Sequence, residues 1–351
     1  MRAHSNRAGW PARLYARYGI SGPVALLLMV SFLFVPLLPG KFWTYVGTEI
    51  LILGLFAMSF NLLYGYMGQI SFGHAAFFGV GAYATAMLFT ALKTTAPHIG
   101  VPQFFLALAA GPPVAALAAL IVGFFCVRLT GIYFAMLTLA FGELLFYIVF
   151  SWYSFTKGDD GIQGLLPPPV FQDAVNFYYL TLAIVAVATA VMWRITESPF
   201  GYTLRTLRDN RRRAAFLGTN VRMHMLANFV IAGAFAGLAG ALWGPFTRSV
   251  SPGLLGWGQS GIAVFMTLIG GAGAFIGPLV GSVIYTLLQA VVKMYTVYWP
   301  LTIGTVILLI VLFAPGGVLG VLEKRFRGAR AGAATSGGEP EAGARGAQER
   351  P

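Results

Sequence analysis

Side chains able to do chemistry are few in this sequence and lie far apart. The four histidines, His4, His74, His98 and His224, share no ligand spacing, and Cys126 is the one cysteine. A metal site needs three or four ligands brought together, so no metal is expected here. No nucleophile is paired with a base, which leaves no catalytic residues and no cofactor to nominate. The phosphate-cradling pattern G-x-x-x-x-G-K-[ST] does not occur, so any ATP hydrolysis must be done by another chain. Three features stand out instead. One is a carboxylate inside an apolar run, Glu143 in "LTLAFGELLFY". Another is the uncharged polar and glycine-rich stretch Tyr64 to Gly81, which holds Gln69, Ser71 and His74. The third is "ESPFGYTLRTLRDNRRRAAFLGTNV", Glu197 to Val221, with five arginines between strongly apolar flanks.

The elements that carry these residues must lie in a membrane. Of 351 residues, 58% are hydrophobic and 10% charged, with a mean hydropathy of +0.76. A soluble domain carries about a quarter charged residues and could not bury this much apolar surface. The net charge of +12 is clumped in the N-terminal arm, the 194–222 segment and the tail. Such clumping marks membrane topology and argues against nucleic acid as a partner.

Spans of about 20 apolar residues are expected near 23–39, 47–65, 74–92, 103–127, 132–152, 177–194, 225–246, 261–276, 278–293 and 298–319. The fold class is therefore an all-α polytopic membrane protein of about ten transmembrane helices. Eight helices plus a re-entrant pair over 261–293 is the alternative. Arg2, Arg7, Arg13 and Arg17 put the N-terminal arm in the cytoplasm, and six crossings later the arginines of 194–222 fall there too. The basic run after Glu323 demands an even crossing count, with "GGAGAFIGP", Gly270 to Pro278, as a turn. The domains expected are a basic arm over 1–22, a membrane domain over 23–322 with a cytoplasmic loop at 195–224, and a tail over 323–351. That tail, rich in Ala, Gly, Arg and Glu, is expected to be disordered.

Within the arginine segment, Ser198 and Pro199 make a helix start and Gly218 a stop. Leu204, Leu207, Ala214 and Leu217 recur at helical spacing, with Arg205, Arg208 and Arg212 on another face. This is a short amphipathic helix or helix pair. It either lies on anionic lipid or docks into a groove of a cytoplasmic protein.

Four segments resemble, in order, the permease subunits of branched-chain amino-acid ABC importers, of the LivM/LivH type and nearer the LivM branch. They are "NLLYGYMGQISFGHAAFFGVGAYATA" from Asn61, "TGIYFAMLTLAFGELLFYIV" from Thr130, the arginine segment running on into "ANFVIAGAFAGLAGALWG", and "GIAVFMTLIGGAGAFIGPLVGSVIY" from Gly261. The resemblance covers about residues 45–320. It implies a type II importer-like permease, in the bacterial inner membrane with both termini cytoplasmic. It also implies two ATP-binding subunits, a second and different permease chain, and a solute-binding protein. Gly201, Arg205, Arg208, Ala215 and Gly218 fall where the family's ATPase-coupling loop lies. The triple arginine Arg211 to Arg213 receives no partner.

Asn61, Gln69, Ser71, His74, Thr138 and Glu143 are the candidate pathway residues. Irregular backbone around Tyr64 to Gly81 is tolerated at membrane depth where it is buried or lines a wet cavity; a tight cytoplasmic loop is the plainer reading. Intramembrane carboxylates such as Glu143 face a bundle interior or a cavity. Gly233, Gly237, Gly240 and Gly244 form a small-residue stripe suited to helix packing. The loop "TKGDDGIQGLLPPP", Thr156 to Pro169, falls outside the membrane, where it either receives a binding protein or is simply solvated. The competing functions are an ion-coupled carrier, an ABC permease for urea or amides, and a membrane-embedded enzyme.

Overall fold

A computed structural model describes residues 30–95, 100–313 and 316–320 of the chain. The arm 1–22, the tail 323–351, His4, His98 and residues 23–29 of the expected span 23–39 lie outside the described residues.

Long apolar runs became helices close to the expected places. They are α1 (Lys41–Asn61), α2 (Ala75–Thr95), α3 (Val101–Cys126), α4 (Ile132–Ser151) and α5 (Ala174–Thr196). Two short helices follow, α6 (Pro199–Asp209) and α7 (Arg211–Phe216), and then α8 (Val221–Thr247), α9 (Trp257–Gly270), α10 (Gly277–Tyr295) and α11 (Trp299–Phe313). Among the described residues, seven helices are long and apolar enough to cross a bilayer: α1 to α5, α8 and α10.

Contacts sort the helix ends into two levels. At one end Arg208 reaches the Gly65 carbonyl, Gln69 meets Gly131, Asn61 meets Ala274 and Gly317 packs on Gly271. At the other, β1 (Ile162–Gln163) pairs antiparallel with β2 (Ser249–Val250), the Tyr178 hydroxyl donates to the Phe32 carbonyl, and Lys293 lies over Trp299. Successive spans alternate between these levels. The last described residues return to the arginine-bearing end, as the charge distribution requires.

Two helices start part-way through the bundle. After α1, a wide π-helical turn (Leu62–Tyr66) leads into extended chain, and α2 begins only at Ala75. After α8, β2 and a single turn at Pro252–Leu255 lead back inward to α9. This corrects the expected span at 261–276. At 14 residues, α9 is about 21 Å long, short of a hydrocarbon core of about 30 Å. β2 and the turn at Pro252–Leu255 join it to the far level, and α9 then turns over 271–276 into the antiparallel α10. The two deep starts meet: the Ala75 amide donates to Ser260 Oγ at 2.9 Å.

The small-residue stripe of α8 is where α2 and α3 approach closest. A Cβ on Gly237 would strike Ala115, and one on Gly240 would strike the Phe78 carbonyl. Gly281 does the same job on α10, against the Met266 carbonyl of α9. Backbone cannot yield as a side chain does, so Gly240→Val is expected to cost about 3 kcal/mol or more. Gly304→Val, with nothing within 4 Å of its Cβ position, should be near neutral. Thermal midpoints of the detergent-extracted proteins check the pair.

Candidate functional site

The arginine segment folds as a helix pair. Pro199 opens α6 at its first position, and the close turn from α5 needs Gly201, whose Cβ would run into the Thr196 carbonyl. Ser198 does not cap as expected; its hydroxyl donates back to the Ile195 carbonyl at 2.6 Å. Asn210 breaks the pair and caps α7, its Oδ1 accepting from the Arg213 amide at 3.0 Å. Gly218, at φ +84°, ends α7 as a Schellman cap. Its amide bonds the Ala215 carbonyl at 3.0 Å, and Thr219 bonds Ala214 at 3.2 Å.

Leu204, Leu207 and Ala214 are buried, as their spacing predicts. Leu217 is not: it stands 77% exposed beside Phe216 at 88%. The α7 tip thus ends in an apolar pair flanked by Arg212, Arg213 and Ala215, all exposed.

Arg205 and Arg208 point a different way. Arg205 pairs with Glu197 at 3.0 Å, and its guanidinium sits 5.2 Å from the ring centres of both Tyr66 and Tyr202. The Arg208 stem lies over Gly68, and its Nη1 donates to the Gly65 carbonyl. Both arginines grip the π-helical turn.

That turn opens the re-entry. The Asn228 side chain of α8 donates to the Leu62 carbonyl at 2.7 Å. Gln69 Oε1 accepts from the Gly131 amide at 3.1 Å, and the Gly73 backbone lies against Thr138 and Gly142 of α4. The stretch 67–74 runs back into the bundle as a re-entrant segment, with Gln69, Ser71, Gly73 and His74 buried and Gly68 and Phe72 exposed, and residues 75–81 belong to α2. His74 is fully buried among Phe56, Phe60 and Phe77. Ser59 Oγ donates to the Phe56 carbonyl at 2.6 Å and lies within hydrogen-bond distance of His74 Nε2, at 2.9 Å. His74 Nδ1, Ser71 Oγ and Asn61 Oδ1 are buried with no hydrogen-bond partner among the described residues.

Of the six pathway candidates, Asn61, Gln69, Ser71, His74 and Thr138 are inside the subunit. Only Glu143 reaches its surface. Glu143 Oε1 accepts from the Trp257 amide at 3.3 Å, the first residue of α9. A carboxylate at a helix N-terminus meets free amides and the positive end of the dipole. Around it, Leu144, Tyr147 and Trp257 are 51%, 60% and 67% exposed. Spacing missed Ser260, Asn228 and Ser59, whose partners Ala75, Leu62 and His74 lie 185, 166 and 15 residues away in sequence.

Residues 43–314 match the family described as the permease component of the branched-chain amino acid transport system. The chain belongs to this family. It is a permease subunit of an ABC importer, a kind of subunit that works with ATP-binding subunits, a partner permease and a solute-binding protein. The LivM permease protein of the high-affinity branched-chain amino acid transport system of Escherichia coli K12 is 25% identical over 301 residues, 78% of this chain and 69% of that protein. The LivH permease protein of the same organism is 26% identical over 289 residues, 76% of this chain and 90% of that one. The guanosine ABC transporter permease protein NupP of Bacillus subtilis is 32% identical over 178 residues, 46% of this chain and 49% of that one. No solved structure matches the permease.

A charged carboxylate facing lipid is costly; Glu143 instead holds the first amide of α9 at 3.3 Å. At the other level Asp160 accepts from the Tyr153 hydroxyl at 3.1 Å, which raises the phenol above its ordinary value, while Asp159 is exposed.

Proposed function

We propose that this permease passes branched-chain or other small amino acids from an external binding protein to the cytoplasm. It lies in the bacterial inner membrane with the arginine-bearing end and both termini inside. It works beside a different permease chain and above two ATP-binding subunits. The basic arm 1–22 and the tail 323–351 flank the membrane domain in the cytoplasm.

The observation that carries the ATPase side is the exposed tip of α7. Phe216 and Leu217 stand out at 88% and 77% exposure, and apolar side chains so presented at a membrane protein's basic end fit a groove in a partner. Gly201, Arg205, Arg208, Ala215 and Gly218 form the coupling segment. Gly201 sets the α5–α6 turn, the arginines contact the π-helical turn, and Ala215 and Gly218 let the partner approach α7.

On the substrate side, support comes from the relatives and from charge. LivM and LivH are named for branched-chain amino acids. Among the six pathway candidates only Glu143 is acidic. One carboxylate in an otherwise uncharged path suits a zwitterion with an apolar side chain. The relative named for guanosine makes a nucleoside the natural competitor to test. With its binding protein present, uptake of labelled leucine should be blocked by excess isoleucine or valine and unaffected by guanosine or urea. Uptake of guanosine or urea in place of leucine would overturn the substrate reading.

A further inference from the structure

We propose that Arg208 is a positioning residue that passes movement of α6 to the π-helical turn Leu62–Tyr66, and through it to the re-entrant segment. The proposal rests on α6–α7 being the ATPase seat. The residue type alone would assign Arg208 to the partner's surface; the geometry points it at the permease's own backbone.

Two carbonyls of the turn are bonded by side chains of other helices: Leu62 by Asn228 of α8 and Gly65 by Arg208 of α6. Such a turn lacks the self-sufficient bonding of a regular helix and follows whatever holds it. Gly65 is wedged on its far side, where a Cβ would meet the Ala272 carbonyl of the α9–α10 turn. A small shift of α6 therefore cannot be absorbed in open space.

The chain beyond the turn leads to the interior. Gln69 holds the Gly131 amide just before α4, Gly73 lies on the α4 backbone, and Glu143 of α4 holds the first amide of α9. Leu204 and Leu207 anchor α6 by burial, at 0% and 1% exposure. Removing the arginine head should therefore disconnect the strut without detaching the helix.

Arg208→Met keeps the stem over Gly68 and loses the donor. In the complete transporter, reconstituted with its partner permease, ATP-binding subunits and binding protein, the variant should retain the ATP-binding subunits and hydrolyse ATP. Uptake per ATP should fall about tenfold, the factor expected for one charge-assisted hydrogen bond lost from the working state. Wild-type uptake per ATP in Arg208→Met would overturn the proposal. Loss of the seat is a separate outcome: it would appear as normal ATPase retention when Phe216 is replaced by Asp. If Arg208→Met does not assemble, hydrogen exchange in the wild-type transporter decides. The amides of Leu63 to Gln69 should change protection with nucleotide together with those of α6. A nucleotide response in α6 with none in the turn would refute the strut.

Discussion

Replacing Phe216 and Leu217 together with aspartate should strip the ATP-binding subunits from the transporter while leaving membrane insertion intact. The two side chains are 88% and 77% exposed, so little among the described residues packs on them. Burying a Phe or a Leu in a partner is worth about 1.5–3 kcal/mol each. Losing both, about 4 kcal/mol, weakens docking about a thousandfold. Gly218→Trp should act in the same direction by two routes. It forces a bulky residue to φ +84°, at a cost of about 1–2 kcal/mol, and it places a ring where the partner approaches. Arg205→Glu should act differently, because Arg205 faces Glu197 and Tyr66: it sets two carboxylates side by side and loosens α6. Co-purification of the ATP-binding subunits at matched expression reads all three. A segment that merely rests on lipid would lose little from Gly218→Trp and more from removal of its arginine charge.

The second large effect is expected at Glu143. Its carboxylate accepts from the first amide of α9 at 3.3 Å. Glu143→Gln keeps an acceptor there and should retain most assembly, with a modest loss of uptake. Glu143→Leu leaves the amide unbonded at a cost of about 1–3 kcal/mol. Glu143→Lys sets a cation against the positive end of the helix and should abolish uptake. Uptake in vesicles, with assembly followed by size exclusion, separates the three. Equal behaviour of wild type, Gln and Leu would mean that the carboxylate is idle.

The helices were legible because the bilayer imposes one strong rule, a long apolar run, and α3, α4 and α8 obey it. The last described residues and α6–α7 lie at one end, while the arginines of the arm and the tail lie outside the described residues. The depth at which α2 and α9 begin was harder to read. "GQISFGHAA" and "SPGLLGWGQS" look like loops, and only their packing on α4 and α2 carries them inward. Apolar spacing put Leu204, Leu207 and Ala214 on one buried face but placed Leu217 with them. The Asn210 break re-aims α7, and spacing across a break carries no face. Arg205 and Arg208 read as surface charges for another reason. Glu197 lies only eight residues from Arg205, but the Tyr66 ring and the Gly65 carbonyl are more than a hundred residues away and leave no pattern in the sequence.

Uptake by sealed vesicles is the most direct test of the whole account. They would hold this permease with its partner permease and ATP-binding subunits, with binding protein on the opposite face. Accumulation of labelled leucine should require ATP on the arginine-bearing side and persist when ion gradients are collapsed. It should vanish when the Phe216 and Leu217 pair is replaced by aspartate. Accumulation driven by an ion gradient, with no ATP and no partner subunits, would contradict it.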